Sequence, residues 1–376
     1  MIRLAWRQFA FDPWRSALMV TAIGAVIAVV LVLEGFEQGL YAQLRQAVLR
    51  RGGDLIAAQA GVTSMTAARS VLPQLTRNAV EAVPGVGASH PLTSLPAIYE
   101  QDGRRTPVFL LVFDTVGGPR QLMAGGAIQD ERGIVIDQSL ARRYELSVGD
   151  GFILSEFRFR VNGITRGESA LFTPFAYVTY DGLIDYYFKA DLAGDIATFP
   201  LLSFLLIDVQ PGADRGTVAA AIERAVPDVD VFTPVQLARN DEQVGRGFFG
   251  PIMRLLIGIA YVAGVLVVGL FMSGSVGSRT QDFGVLKALG FGSAALFATV
   301  LAEALLVTAL AIPVGIGLAQ ALAASINAAV PVYLVLPLVP AIVARTLAAC
   351  VAFAALGALV PVRAIAHIEP ALVFRT

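Results

Sequence analysis

The stretch SRTQDFGVLKALGFGS (Ser278–Ser293) lies between two long apolar runs. It is charged at its start and places Phe283, Leu286 and Leu289 on one helical face, with Arg279, Asp282 and Lys287 elsewhere on the cylinder. Ser278 with Gln281 three residues on has the form of a capping box, and Gly290 that of a helix C-cap. A helix this short is not stable alone, so it has to dock on lipid headgroups or in a protein groove. A headgroup-bound helix needs more basic residues than this polar face carries, which favours the groove.

Working outward, the flanking runs decide the class. The chain has 376 residues, 56% hydrophobic and 15% charged, with mean hydropathy +0.68. A soluble domain is about a quarter charged, so this is the composition of a membrane protein. Net charge is −1, so nothing points to nucleic acid. The single cysteine, Cys350, excludes an intramolecular disulfide. About 20 apolar residues span a bilayer, and four segments qualify: 17–33, 255–272, 294–323 with one charge (Glu303), and 339–362 with Arg345 near its start. The first has Arg3, Arg7 and Arg15 before it, but no small-residue cleavage site in the following Glu34-Gly35-Phe36-Glu37. An uncleaved anchor is therefore expected over a signal peptide.

Basic residues set the expected orientation. The tail 1–16, the loop 273–293 with Arg279 and Lys287, and the tail 363–376 with Arg363 and Arg375 are read as cytoplasmic. The uncharged loop 324–338 and the long segment 34–250 are placed outside, since large domains translocate largely regardless of charge.

Within 34–250, FEQGLYAQLRQAVL spaces Phe36, Leu40, Leu44 and Val48 by four. It reads, with the stretch before span two, as stalk helices (34–51 and 233–254) continuing the spans, or else as two surface helices. GDLIAAQAG reads as a strand, MTAARSVLPQLTRNAVEAV as a helix, and 201–234 as strand, turn, helix and strand. These two units (54–90 and 200–232) form one α/β part, and the strand-rich 91–199 between them an inserted β subdomain.

Catalytic chemistry finds little footing. The "VGD" at Val148–Asp150 reads as a turn rather than a catalytic aspartate. Asp181, Asp185, Asp191 and Asp195 match no EF-hand spacing and read as a solvated loop, with an oxygen-ligand calcium site as the alternative. His90 and His367 are far apart, and no P-loop motif G-x-x-x-x-G-K-[ST] is present. Glu303, about ten residues or roughly 15 Å into span three, is expected near mid-bilayer, either as a functional charge or bonded to a neighbouring helix. Arg345 is expected to snorkel. Two isolated charges make a poor ion pathway.

RTQDFGVLKALGFGSAALFATVLAEALLVTALAIPVGIGLA resembles the signature of the FtsX-like, MacB-type (type VII) ABC transporter permeases: a charged start, an apolar–Gly–apolar–apolar–basic–Ala–Leu–Gly core, then a span with EALL. LAWRQFAFDPWRSALMVTAIGAVIA is similar to that family's R-N-x-x-R-x-P-x-R approach to span one, with Phe9, Phe11 and Asp12 departing from the pattern. PVRAIAHIEPALVFRT and, more weakly, IVIDQSLARRYELSVGD are similar to its C-terminal and outer-domain stretches.

The resemblance covers nearly the whole chain and implies a membrane α-helical fold: four transmembrane helices with a large α+β periplasmic domain inserted between helices 1 and 2. It implies that residues 278–290 bind a cytoplasmic ABC ATPase, with Phe283, Leu286 and Leu289 as the apolar docking face, Gly284 allowing close approach, and Arg279, Asp282, Lys287 and Gly290 completing the coupling site. Two permeases, a homodimer or a pair of paralogues, would work with two ATPases. ATP and Mg would sit in that partner, with no cofactor in this chain. The chain would be a lever rather than a channel, helped by close packing at Gly258, Gly264 and Gly269, with Glu303 as a polar contact of span three.

The lack of a fused ATP-binding domain resembles the glycolipid-exporting and lipoprotein-releasing members. The family likeness implies a Gram-negative inner membrane, a periplasmic adaptor (membrane-fusion) protein and an outer-membrane channel. Lipids, glycolipids, lipoproteins and drugs are all open as substrates. A scaffold that activates a cell-wall hydrolase, and an ATP-independent receptor or transporter, are the competing functions.

Overall fold

The computed structural model describes residues 13–154, 157–189 and 202–366. Arg3, Arg7, Asp191, Asp195, His367 and Arg375 lie outside the described residues. The chain divides into two compact units: residues 1–38, 250–328 and 335–376 form one, and residues 39–249 with 329–334 the other.

The first unit is helical. Among the described residues, four helices are long and apolar enough to cross a membrane: α1 (Pro13–Leu49), α6 (Pro234–Gly277), α8 (Ser293–Ala329) and α9 (Pro340–Ala366). α6 and α9 each begin at proline, whose fixed φ and missing N–H suit a first helical residue. Thr233 and Gln236 exchange hydrogen bonds to each other's backbone N–H groups, a capping box that fixes the start of α6. α1 and α6 each cover a span and its adjoining stalk stretch without a break.

Ile23, Ile27 and Leu31 of α1, Met272 of α6, Val300 and Val307 of α8 and Phe353 of α9 share one buried cluster. Small residues set how close these helices come. A Cβ on Gly315 would fall 2.7 Å from Ile27, and one on Gly264 2.8 Å from the Phe353 ring. Gly258, in contrast, has no such neighbour within 4 Å, so the expected packing role does not apply to it in this unit. Leu255, Ile259, Val262, Leu266 and Leu270 form an exposed apolar stripe on α6, as suits a helix facing hydrocarbon.

The second unit is built on one mixed sheet, with eleven strands among the described residues, in the order β11-β1-β10-β2-β3-β9-β5-β7-β4, with β6 on β7 and β8 on β9. The strands are β1 (Leu55–Gln59), β2 (Val86–Gln101), β3 (Arg104–Phe113), β4 (Leu122–Gly125), β5 (Gly133–Asp137), β6 (Gly151–Leu154), β7 (Phe157–Thr165), β8 (Ser169–Ala170), β9 (Thr173–Thr179), β10 (Phe204–Val209) and β11 (Val229–Phe232). β1, β5, β9 and β10 are apolar at consecutive positions because both faces are covered. Leu205 and Ile207 pack under α2 (Leu75–Glu81) and α5 (Arg215–Ala225), while Phe204 and Leu206 face Val48 of α1 and Leu237 of α6. Likewise Leu110 and Val112 join the cluster of α3 (Gln138–Arg143) and α4 (Tyr180–Lys189), and Leu111 joins that of Leu40, Tyr41 and Leu44.

The expected division into an α/β part and a separate β subdomain is not what forms. A boundary at residues 90/91 falls inside β2, which pairs with β10 at one end and β3 along its length. The helix expected from Met65 is also shorter. Pro73 disfavours helix in the residue before it, Leu72 bridges to Leu202 instead, and only Leu75–Glu81 is helical. The turn at Val148–Asp150 is as expected: Gly149 has φ +100 and Asp150 accepts from the Ser147 N–H at 2.7 Å.

One buried charge group anchors the end of α1 on this sheet. Arg51 is fully buried and donates to the carbonyls of Ala47 at 3.0 Å and Gly117 at 2.8 Å, and to Glu168 at 2.8 Å. Tyr177 donates to the same Glu168 oxygen, and burial pushes its phenol well above the ordinary range. Burial also pushes the Asp137 carboxyl up, against the pull of the N–H groups of Ser139 and Glu168 that it accepts.

Candidate functional site

The short helix is present as α7 (Thr280–Ala288). Its end is a Schellman motif: Gly290 takes φ +89, its N–H donates to the Lys287 carbonyl, and the Phe291 N–H donates to that of Leu286. Its start is not the expected capping box. Arg279 is the N-cap, and no side chain caps the first turn. The Ser278 hydroxyl turns back, donating to the Ser275 carbonyl at 2.9 Å and accepting from Arg15 at 2.9 Å.

What holds the start of α7 is a polar tie. The Ser275 hydroxyl donates to Glu303 at 2.8 Å, and the Arg279 guanidinium lies 3.8 Å from the same oxygen. Glu303 therefore stands level with Ser275, two residues from the end of α6, and bonds a neighbouring helix, the second of the two roles expected for it. Glu303 thus links α8 to the junction of α6 and α7.

The apolar face also differs from expectation. Phe283 is 6% exposed and belongs to the core of the helical unit, Gly284 is buried, and Leu286 is half-buried against the same core. Lys287 is half-buried, and the Asp282 side chain lies outside the described residues. Leu289 is 71% exposed, with Val285 and Phe291 also exposed. So the stripe read from spacing divides: Phe283 turns inward because α7 must dock on its own bundle, and an edge of Val285, Leu289 and Phe291 is left open. Ser275 and Arg15 were missed because their partners are distant in sequence. Phe291 could have been found as the residue after the C-capping glycine.

A second tie lies at the far end of the same unit. Glu34 of α1, 2% exposed, receives the Arg345 guanidinium of α9 at 2.7 and 3.2 Å and the Tyr261 hydroxyl of α6. Arg345 does not simply snorkel; a carboxylate holds it. From Arg15 to Glu34 is 19 residues of continuous α1, about 28 Å, close to the hydrocarbon thickness of a bilayer. The two ties are thus one membrane thickness apart along α1.

A family model for the MacB-like periplasmic core domain matches residues 17–225, more than half of the chain, and one for the FtsX-like permease C-terminal matches residues 254–370. An uncharacterized ABC transporter permease of Mycobacterium tuberculosis is 26% identical over 344 residues, spanning 90% of this chain and 91% of its own. One of Mycobacterium bovis is 25% identical over 377 residues, spanning 100% and 99%. Two solved domains are also similar. They are the extracellular domain of the noncanonic ABC-type transporter YknZ from Gram-positive bacteria (12% identity, TM-score 0.36, 48% of this chain and 100% of that one) and the periplasmic region of MacB from Actinobacillus actinomycetemcomitans (12%, 0.35, 52% and 95%).

Proposed function

The chain belongs to the MacB-like, FtsX-type ABC transporter permeases, and from that premise we propose that it relays the conformational changes of a separate ATPase to its inserted domain. The relay exports or extracts a lipid, glycolipid, lipoprotein or drug. α7 is the docking element, on the cytoplasmic side, and ATP with Mg belongs to the partner. Two copies of each subunit form the working unit, in a bacterial inner membrane with the inserted domain periplasmic. A periplasmic adaptor and an outer-membrane channel are further partners of this reading.

The observation that carries the reading is the open apolar edge of α7. Val285, Leu289 and Phe291 stand exposed beside a Schellman-capped end, on a helix that ties to α8 through Glu303. A partner that moved this edge would push on α6 and α8 together.

The test is co-purification from membranes in mild detergent with an assay of ATP hydrolysis. Leu289→Glu places a charge on the open edge and touches no buried contact, so stability should change by less than about 0.5 kcal/mol. A P-loop ATPase retained by the parent chain and lost in the variant is the expected result. An unaltered complex would remove α7 as the docking element, and an ATPase that stays bound while a cell-wall hydrolase co-purifies would move the function to signalling.

A further inference from the structure

A cavity of about 200 Å³ lies inside the second unit, on the sheet face that the ends of α1 and α6 cover. Its floor is mostly apolar: Phe109, Leu111, Phe175 and Phe204 line it from β3, β9 and β10, with Ala47 from α1 and the buried, Glu168-paired Arg51 just beyond that helix. Bulk is missing where Ser94 and Ser203 stand instead of larger side chains. Interiors are normally packed to crystal density, and this space exceeds the ~150 Å³ apolar cavity known to accept benzene.

The lid is residues 65–70, part of the stretch that failed to become helix. The lid has its own fastening. Buried Asp241 of α6 accepts from the Met65 N–H at 2.8 Å and from the Thr66 hydroxyl at 3.0 Å, and the Ser70 hydroxyl accepts from the Gln59 N–H at 2.9 Å. At the mouth, Ala67, Ala68 and Arg69 are exposed. Arg69 has no carboxylate partner among the described residues, whereas about half of the other arginines of this unit do, including Arg50, Arg51, Arg77, Arg105, Arg160 and Arg215.

We propose that this cavity binds the hydrocarbon part of a single-chain anionic amphiphile, a fatty-acid-like carboxylate, with Arg69 at the mouth holding its head group. The apolar floor takes the chain, and the size of the cavity limits it to a short alkyl segment or ring. Arg51, the other cation of the lining, is committed to Glu168, so Arg69 is the cation left at the opening, and a guanidinium there recognises an anion. The site lies wholly within one unit and stands independently of the ATPase-docking reading: a chain with no ATPase would still bind. The fastening of the lid to α6 means that binding and the position of α6 constrain each other.

The experiment uses the full chain in lipid nanodiscs with two photoreactive probes, a diazirine-bearing dodecanoic acid and the matching alcohol, and maps the adducts by mass spectrometry. The acid should label peptides containing residues 65–70, Phe109 or Phe175. Ser94→Phe, which fills the floor, and Ala67→Trp, which fills the mouth from an exposed position, should each reduce that labelling at least tenfold. Arg69→Glu should reduce labelling by the acid several-fold and leave labelling by the alcohol unchanged. Adducts confined to the four membrane helices, or cavity labelling indifferent to all three substitutions, would overturn the proposal. Equal loss of acid and alcohol labelling in Arg69→Glu would overturn the anionic head group.

Discussion

The two polar ties of the helical unit use the same chemistry and are built to different tightness. At Glu34 the carboxylate is 2% exposed, receives two guanidinium contacts from Arg345 at 2.7 and 3.2 Å, and is also bonded by Tyr261. At Glu303 the carboxylate is 12% exposed, receives one hydroxyl from Ser275, and sees the Arg279 guanidinium only at 3.8 Å. The first joins α1, α6 and α9 by charge-assisted bonds, the strong kind. At the second, Glu303 itself reaches the start of α7 through one hydrogen bond from Ser275 and an ion pair at 3.8 Å, a weaker hold than the first. A hub that clamps three helices at one end, with a loose clasp at the other, lets the clasp end move without the bundle coming apart.

The largest test of that contrast removes Arg345. Arg345→Ala leaves Glu34 as a buried carboxylate with only Tyr261 to bond it. Glu34 is 2% exposed but Arg345 is 57% exposed, so solvent screens the pair, and breaking it from the arginine side costs about 2 kcal/mol. The variant should lower the unfolding midpoint in detergent clearly, and Glu34→Gln in the same chain should recover much of the loss. If Arg345→Ala is neutral, the tie is a surface ion pair and the contrast collapses.

Much of the fold could be read along the chain because its causes are local. Apolar length gave the four spans, and the glycine after Leu289 gave the end of α7 through a conformation that favours glycine. The continuous apolar runs of β1 and β10 gave strands, and their burial on both faces explains the runs. What escaped depends on partners far along the chain. Glu34 and Arg345 meet across 311 positions, and Arg15 and Ser278 across 263. Ser278 looked like a cap, yet Thr233 with Gln236 is the pair that forms one. Ser278 is claimed by Ser275 and Arg15, while the Thr233 hydroxyl is bonded to Gln236. Phe283 shares a stripe with Leu289, and only the bundle decides which of the two is buried.

At the loose end, Gly290→Ala should cost about 1 kcal/mol through its positive φ alone, because a Cβ there meets nothing within 4 Å. Amide exchange at Gly290 and Phe291 should rise roughly fivefold on that account, and Gly290→Asn should do less, since asparagine tolerates this conformation better. Equal effects from both would mean that space rather than backbone conformation matters at the cap, and α7 would be packed more tightly than its surroundings imply.

The smallest effect is expected at the clasp itself. Glu303→Gln keeps an acceptor for the Ser275 hydroxyl and removes only the attraction for Arg279. With both side chains partly exposed and 3.8 Å apart, that attraction is worth about 0.5 kcal/mol. Global unfolding should scarcely move, whereas exchange of the Thr280–Phe283 amides should rise about twofold, because Arg279 is the N-cap and no side chain caps that turn. The same substitution at the tight tie, Glu34→Gln in an otherwise native chain, strips the charge that Arg345 is bound to and should lower the unfolding midpoint measurably. The contrast therefore rests on one matched pair of carboxylate-to-amide changes. If both lower the midpoint equally, the clasp is a second hub, and motion at α7 would have to come from the α7–α8 turn instead.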